Sequence, residues 1–157
     1  MLRWVALSLI WIVVACQDPK LTIQKPAPEL AVLNAKGQAI KLEQIRDKPS
    51  ILVFWSISCV ACLAEMPMFS QFAKMHADQV RLVLINTDTN QPNWTQLHQS
   101  YGTDIVWLHD QLQTTQARYQ VMGTPTFVAL NAQGLFVQQH VGIIKAKQLE
   151  ALWHAAL

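Results

Sequence analysis

"PSILVFWSISCVACLAEMP", residues 49–67, decides the fold. From Ile51 to Trp55 it is an unbroken apolar run with β-branched and aromatic members, the signature of a central strand covered on both faces. Cys59 and Cys62 follow immediately, and the stretch behind them reads as a helix reaching about Ala77. A buried strand that feeds a helix through two closely spaced thiols leaves three uses for them: a staple, half a metal site, or a redox couple.

The flanking sequence settles the fold class. Downstream, Gln79–Asn86 reads as a second buried strand, followed by a helix opened by Pro92 and running to about Tyr101. "DIVWL" predicts a short strand and "QLQTTQARYQV" a helix. "TPTFVALN" and "LFVQQHVG" flank Ala132-Gln133-Gly134 and predict an antiparallel hairpin. The last segment places Leu149, Leu152, Trp153 and Ala156 on one face of a terminal helix. Upstream, the two prolines of "KPAPEL" favour an extended entry, and Asn34-Ala35-Lys36-Gly37 is a turn signal between apolar stretches. Strand–helix alternation followed by a hairpin and a helix predicts an α/β domain with a mixed sheet.

The chain opens MLRWVALSLIWIVVAC, in which Arg3 precedes an apolar run from Trp4 to Ala15. As a helix that run would reach only about 18 Å, short of the roughly 30 Å of a bilayer core. A basic start, a short apolar core and a small residue before Cys16 read as an export signal over residues 1–15. The join resembles the bacterial lipoprotein box, which implies that Cys16 is lipidated, begins the mature chain and anchors it to a membrane. That assignment removes one of the three cysteines and leaves Cys59 and Cys62 as a pair. Residues 16–25 then form a tether and residues 26–157 one domain, long enough for a real core. Apart from Arg3, 11 Lys+Arg face 10 Asp+Glu with no basic stripe, so nucleic acid is excluded as a natural partner.

The pair itself discriminates among the three uses. As a staple it closes so short a loop that chain entropy is worth only about 2 kcal/mol. As half a zinc site it lacks a second CxxC. His76, His98, His109, His140 and His154 contain no pair at the spacing of zinc motifs, and read as surface or internally satisfied residues. A redox couple fits the setting. The start of a helix favours a thiolate at Cys59, and Cys62, one turn on, can resolve a mixed disulfide. Strand–CxxC–helix within an α/β pattern favours this use.

"FWSISCVACLAEMP" resembles the active-site segment of the thioredoxin superfamily, specifically its TlpA/ResA-type envelope members. Phe54-Trp55-Ser56 matches the aromatic strand end, Cys59-Val60-Ala61-Cys62 the redox motif, and Glu65-Met66-Pro67 the E-x-P continuation. "GTPTF", residues 123–127, matches the second signature, with Pro125 in the cis-proline position. The resemblance implies a thioredoxin-like fold with a central mixed sheet, flanking helices and an added N-terminal β-hairpin. It further implies Cys59 and Cys62 as a redox-active disulfide, and Trp55 as a wall beside it. The Thr124 backbone, next to Pro125, would pair with a substrate strand. Two departures stand out. Ser58 and Ala61 replace the family's usual Trp and Pro beside the cysteines, and Val53 stands where thioredoxin has a buried Asp. Val53 cannot move a proton, so Glu65, on the same helix face as Cys62, is the expected acid–base group.

The resulting expectation is an envelope thiol-disulfide oxidoreductase with no diffusible cofactor. Its partners would be disulfide-containing exported proteins, cytochrome c maturation proteins among them, and a membrane-linked thiol reductant. The absence of His between the cysteines favours reduction over oxidation. Two rival readings are a Sco-type copper lipoprotein, which needs CxxxC and a distant His, and a thiol peroxidase of the same superfamily, whose single-nucleophile motif is absent.

Overall fold

The computed structural model describes residues 21–157. The export signal, the Cys16 lipidation site and the first half of the tether lie outside the described residues. The elements are β1 (Val32–Leu33), β2 (Ala39–Ile40), β3 (Ser50–Trp55), α1 (Val60–His76), β4 (Arg81–Asn86), α2 (Trp94–Tyr101), β5 (Val106–His109), α3 (Thr114–Arg118), β6 (Thr126–Leu130), β7 (Phe136–Val141) and α4 (Ala146–Ala156). They form one mixed sheet in the order β2-β1-β5-β4-β3-β6-β7. Strands β3, β4 and β5 are parallel, β6 is antiparallel to β3, and β7 is antiparallel to β6.

Strand β3 is the middle of the molecule, as its apolar run requires. All six of its residues are buried, and its alternation feeds two cores. Ile51, Val53 and Trp55 join α1 and α4 through Met66, Phe69, Leu149 and Trp153 on one face. Leu52 and Phe54 meet Val83, Ile85, Tyr119 and the incoming segment of Ala27 and Leu30 on the other. The expected face of α4 is the buried one, with Leu149, Leu152, Trp153 and Ala156 all facing the core.

The N-terminal hairpin forms as β1 and β2, closed by Asn34, whose Oδ1 accepts from the N–H groups of Lys36 and Gln38. Its first strand joins the sheet edge through Leu33 opposite His109. Ahead of it, the Gln24 N–H donates to Phe136 and the Phe136 N–H to Lys25, so pairing with β7 begins inside the stretch read as tether.

Two helices depart from expectation. α2 starts at Trp94, with Asn93 rather than Pro92 as its cap, the Asn93 side chain accepting from the Gln96 N–H at 3.1 Å. α3 is only Thr114–Arg118, although the helical pattern extends over residues 111–121. Gln113 at φ 54° and Gln120 at φ 53° bound it on either side, in backbone that no helix can include. α1 runs through Pro67 without interruption. None of the helices among the described residues is long and apolar enough to cross a membrane.

Candidate active site

One end of the sheet gathers the predicted residues. The register that pairs Phe54 with Thr126 brings the C-terminal end of β3 beside the start of β6, so Trp55 and Pro125 lie at the same end. The Thr124–Pro125 bond is cis. Trp55 also pairs with Asn86, which brings the loop after β4 to the same place. The Trp55 carbonyl accepts from the N–H of Thr87 at 2.9 Å and from its hydroxyl at 3.2 Å. Asp88 Oδ2 accepts from the Ile57 N–H at 2.8 Å and from Asn86 Nδ2 at 2.7 Å. The chain leaving β3 is therefore held on its way to the cysteines.

Cys59 is the N-cap of α1 and is joined to Cys62 by a disulfide. Its Sγ accepts from the Cys62 N–H at 3.1 Å, and its carbonyl accepts from the Leu63 N–H. The first turn of α1 carries no acidic residue of its own to oppose the positive end of the helix dipole at the sulfur. The two sulfurs are not equivalent. Cys59 is half-buried, whereas Cys62 is fully buried behind it.

Glu65 is buried, with Oε1 accepting from the Ile144 N–H at 2.6 Å and Oε2 buried without a hydrogen-bond partner. Burial pushes its carboxyl above the usual value, while the Ile144 hydrogen bond and the charge of His140 pull it back. The charged form of a carboxyl in this setting is costly, so a proton delivered to it is well received. Spacing places it on the same face of α1 as Cys62.

Trp55 is fully buried, its ring edge-on to Trp107 with centroids 6.0 Å apart. It forms the inner wall of a cleft of about 230 Å³ between the disulfide loop and α2, bordered by Ile57, Leu63, Leu97 and Tyr101. Thr124 is half-buried and Pro125 buried, and the Pro125 carbonyl accepts from the Gly142 N–H at 2.8 Å. Val60, Met122 and Ile143 project apolar side chains at 80%, 95% and 69% exposure.

Sequence reasoning passed over Asp88, which holds the loop before Cys59, and Asp110. The buried Asp110 carboxylate accepts from the N–H groups of Thr115 at 3.1 Å and Gln116 at 2.6 Å, which fixes the late start of α3. An Asp shortly before a Thr-rich helical start is a capping signal that could have found it. His109 is an internally satisfied histidine, its Nε2 donating to the Asp88 carbonyl at 2.8 Å. Among the described residues no three His, Cys, Asp or Glu side chains converge as metal ligands.

Comparison with known proteins agrees with this geometry. The thioredoxin-like protein YneN of Bacillus subtilis is 28% identical over 127 residues, covering 79% of this chain and 74% of its own. The thiol-disulfide oxidoreductase ResA of Bacillus thuringiensis is 27% identical over 132 residues, covering 83% and 76%. A Chlorobium tepidum structure described as a candidate thiol:disulfide interchange protein DsbE superposes with a TM-score of 0.75 at 26% identity, covering 87% of this chain and 98% of its own. Residues 23–147, which hold the disulfide, the Glu65 helix and the cis-proline loop, match the AhpC/TSA family. This chain belongs to that family, as a thiol-disulfide oxidoreductase of thioredoxin fold similar to ResA.

Proposed function

We propose that the protein is an envelope-facing, lipid-anchored reductase of disulfides in exported proteins. The observation that carries the reading is the asymmetry of the pair, a half-buried Cys59 at a helix start with a fully buried Cys62 behind it. The Cys59 thiolate attacks one sulfur of a substrate disulfide, forming a mixed disulfide and releasing the other substrate sulfur as a thiolate. Cys62 then gives its proton to Glu65, and its thiolate attacks Cys59 Sγ. The Cys59–substrate bond breaks and the second substrate sulfur leaves, so the substrate gains two electrons and Cys59–Cys62 becomes a disulfide. A membrane-linked thiol reductant returns the pair to dithiol, because the compartment outside the membrane is oxidising.

Val60 and Ala61 put no cationic group between the sulfurs, which supports reduction as the direction. The Thr124 backbone beside the cis-proline pairs with an extended substrate segment, and cytochrome c maturation proteins are one substrate class. The envelope location rests on the export-type start and on Cys16.

Cys62→Ser tests the reading, since it stops the cycle at the mixed disulfide. Expressed as the full chain, it should accumulate in the membrane fraction with exported proteins attached through Cys59 and released by dithiothreitol. Intact mass should show a diacylglyceryl-modified Cys16 at the N-terminus. A variant that traps only cytoplasmic proteins, or a mature chain with free Cys16, would remove the location. A variant that traps nothing would remove the activity.

A further inference from the structure

One peptide group lies between two titratable side chains, Glu65 and His140. The Ile144 N–H donates to Glu65 Oε1 at 2.6 Å. The carbonyl of Ile143, the other half of that same peptide, lies 3.1 Å from His140 Nε2. A carbonyl only accepts, so this ring nitrogen carries the hydrogen. Imidazole, peptide and carboxylate thus form a continuous chain in which each hydrogen bond polarises the next. An N–H pointed at the Ile143 oxygen draws electron density from the amide and makes its N–H a stronger donor to the carboxylate.

The chain of contacts is held at both ends. His140 sits opposite Phe127 in the β6–β7 register, with ring centroids 5.9 Å apart. The loop after β7 is pinned to the cis-proline by the bond from the Gly142 N–H to the Pro125 carbonyl. Glu65 Oε1 is committed to Ile144, which leaves the buried, unpartnered Oε2 as the atom that can receive a proton. Cys62 lies on its own helix, His140 on the strand across from it, and Lys145 and Lys147 begin the helix beyond the loop. Of these groups it is His140 whose charge acts on the Glu65 carboxyl.

We propose that His140 is a positioning residue for Glu65, acting through the Ile143–Ile144 peptide to hold the carboxylate ready for the Cys62 proton. The inference rests on Glu65 as the proton acceptor in the second half of the cycle. It adds a histidine that acts on Glu65 through a peptide, and gives the β7–α4 loop a part in catalysis.

The test follows resolution of a trapped mixed disulfide across pH by rapid mixing, in the full chain and in Glu65→Gln, His140→Leu and His140→Gln. Removing the donor makes the carboxylate harder to form. His140→Leu should therefore move the acid limb of the rate profile upward by about one pH unit, a roughly tenfold loss at a fixed pH on that limb. His140→Gln retains an N–H for the Ile143 oxygen and loses only the charge, so its limb should move clearly less than that of His140→Leu. The Ile144 amide proton, followed by NMR in the disulfide form, reports the same titration without catalysis and should shift its midpoint in parallel. An unmoved limb and amide midpoint in His140→Leu, with the limb abolished in Glu65→Gln, would overturn the role of His140 and leave Glu65 in place. A limb that survives in Glu65→Gln would remove Glu65 and the inference with it. Equal shifts in both His140 variants would overturn the route through the peptide.

Discussion

The Ile57 N–H donates to the Asp88 carboxylate at 2.8 Å, so the loop that delivers Cys59 is tied to the end of the neighbouring parallel strand. The same oxygen accepts from Asn86 Nδ2 at 2.7 Å at the end of β4, so the carboxylate that holds the loop before Cys59 is itself fixed to the strand, across α1 and β4 in sequence. The Cys59 sulfur inherits its position from this tie as well as from its own helix.

Asp88→Ala should therefore cost more than an ordinary surface substitution. It removes two hydrogen bonds to a charged acceptor, and a loss of about 1–2 kcal/mol is expected in urea denaturation of the disulfide form. Asp88→Asn keeps one oxygen acceptor and should recover part of it. If Asp88→Ala unfolded at the wild-type midpoint, the loop would be held by its other bonds alone.

The difference in burial between the two sulfurs predicts the order of attack. In the reduced protein at limiting iodoacetamide, Cys59 should be labelled at least about tenfold faster than Cys62, because alkylation follows thiolate character and access. Peptide mapping reads this directly. Preferential labelling of Cys62 would reverse the roles of the two cysteines.

These relationships differ in how far they can be read from sequence. Strand β3 and its cysteines are legible because a continuous apolar run from Ile51 to Trp55 has few alternatives to a central strand. The N-terminal hairpin is legible from Asn34 and Gly37, and α4 from its apolar stripe. What escapes is anything whose partner is remote in the chain. Glu65 is legible as the acid–base candidate from its spacing to Cys62, but its burial and its bond to Ile144, 79 positions away, are not. Asp88 looks like loop until Ile57, 31 positions away, donates to it. The short α3 escapes for a different reason: the helical pattern runs through residues 111–121, and the left-handed backbone at Gln113 and Gln120 cuts it at both ends.

Tyr119 anchors the segment that precedes the hairpin. Its hydroxyl, fully buried, donates to the Pro28 carbonyl at 2.7 Å, and its ring packs on Phe54 with centroids 5.6 Å apart. Tyr119→Phe keeps the ring contact and removes only the bond, leaving the Pro28 carbonyl without that donor. The expected loss is about 1–2 kcal/mol, with faster hydrogen exchange confined to the residues around Ala27 and Leu30. Unchanged exchange there would show that the apolar packing of that segment suffices.

Glu65 should oppose stability and support activity at the same pH. Burial raises its carboxyl above the ordinary value of 4.5, so the folded protein keeps this proton over a range where the unfolded chain has already lost it. In that range unfolding releases a proton, and stability falls as pH rises, with the loss complete once the folded carboxyl has ionised. Gln at this position does not titrate. Below about pH 4 both forms are neutral and the two proteins should differ little. As pH climbs towards neutrality, Glu65→Gln should become progressively the more stable, and the gap should level off once the wild-type carboxyl is charged. Asp110 is also raised by burial but is present in both proteins, so it cancels from the difference. Urea midpoints of the disulfide form between pH 4 and pH 8 measure the gap, and single-turnover resolution of a mixed disulfide on the same samples measures the activity. Proton transfer of this kind is worth about 10²–10⁴ in rate, so the stabilised variant should be the slower one near neutral pH. A stability gap that is flat across pH would show that the carboxyl is not held above its ordinary value, and a wild-type resolution rate would leave the proton path to water.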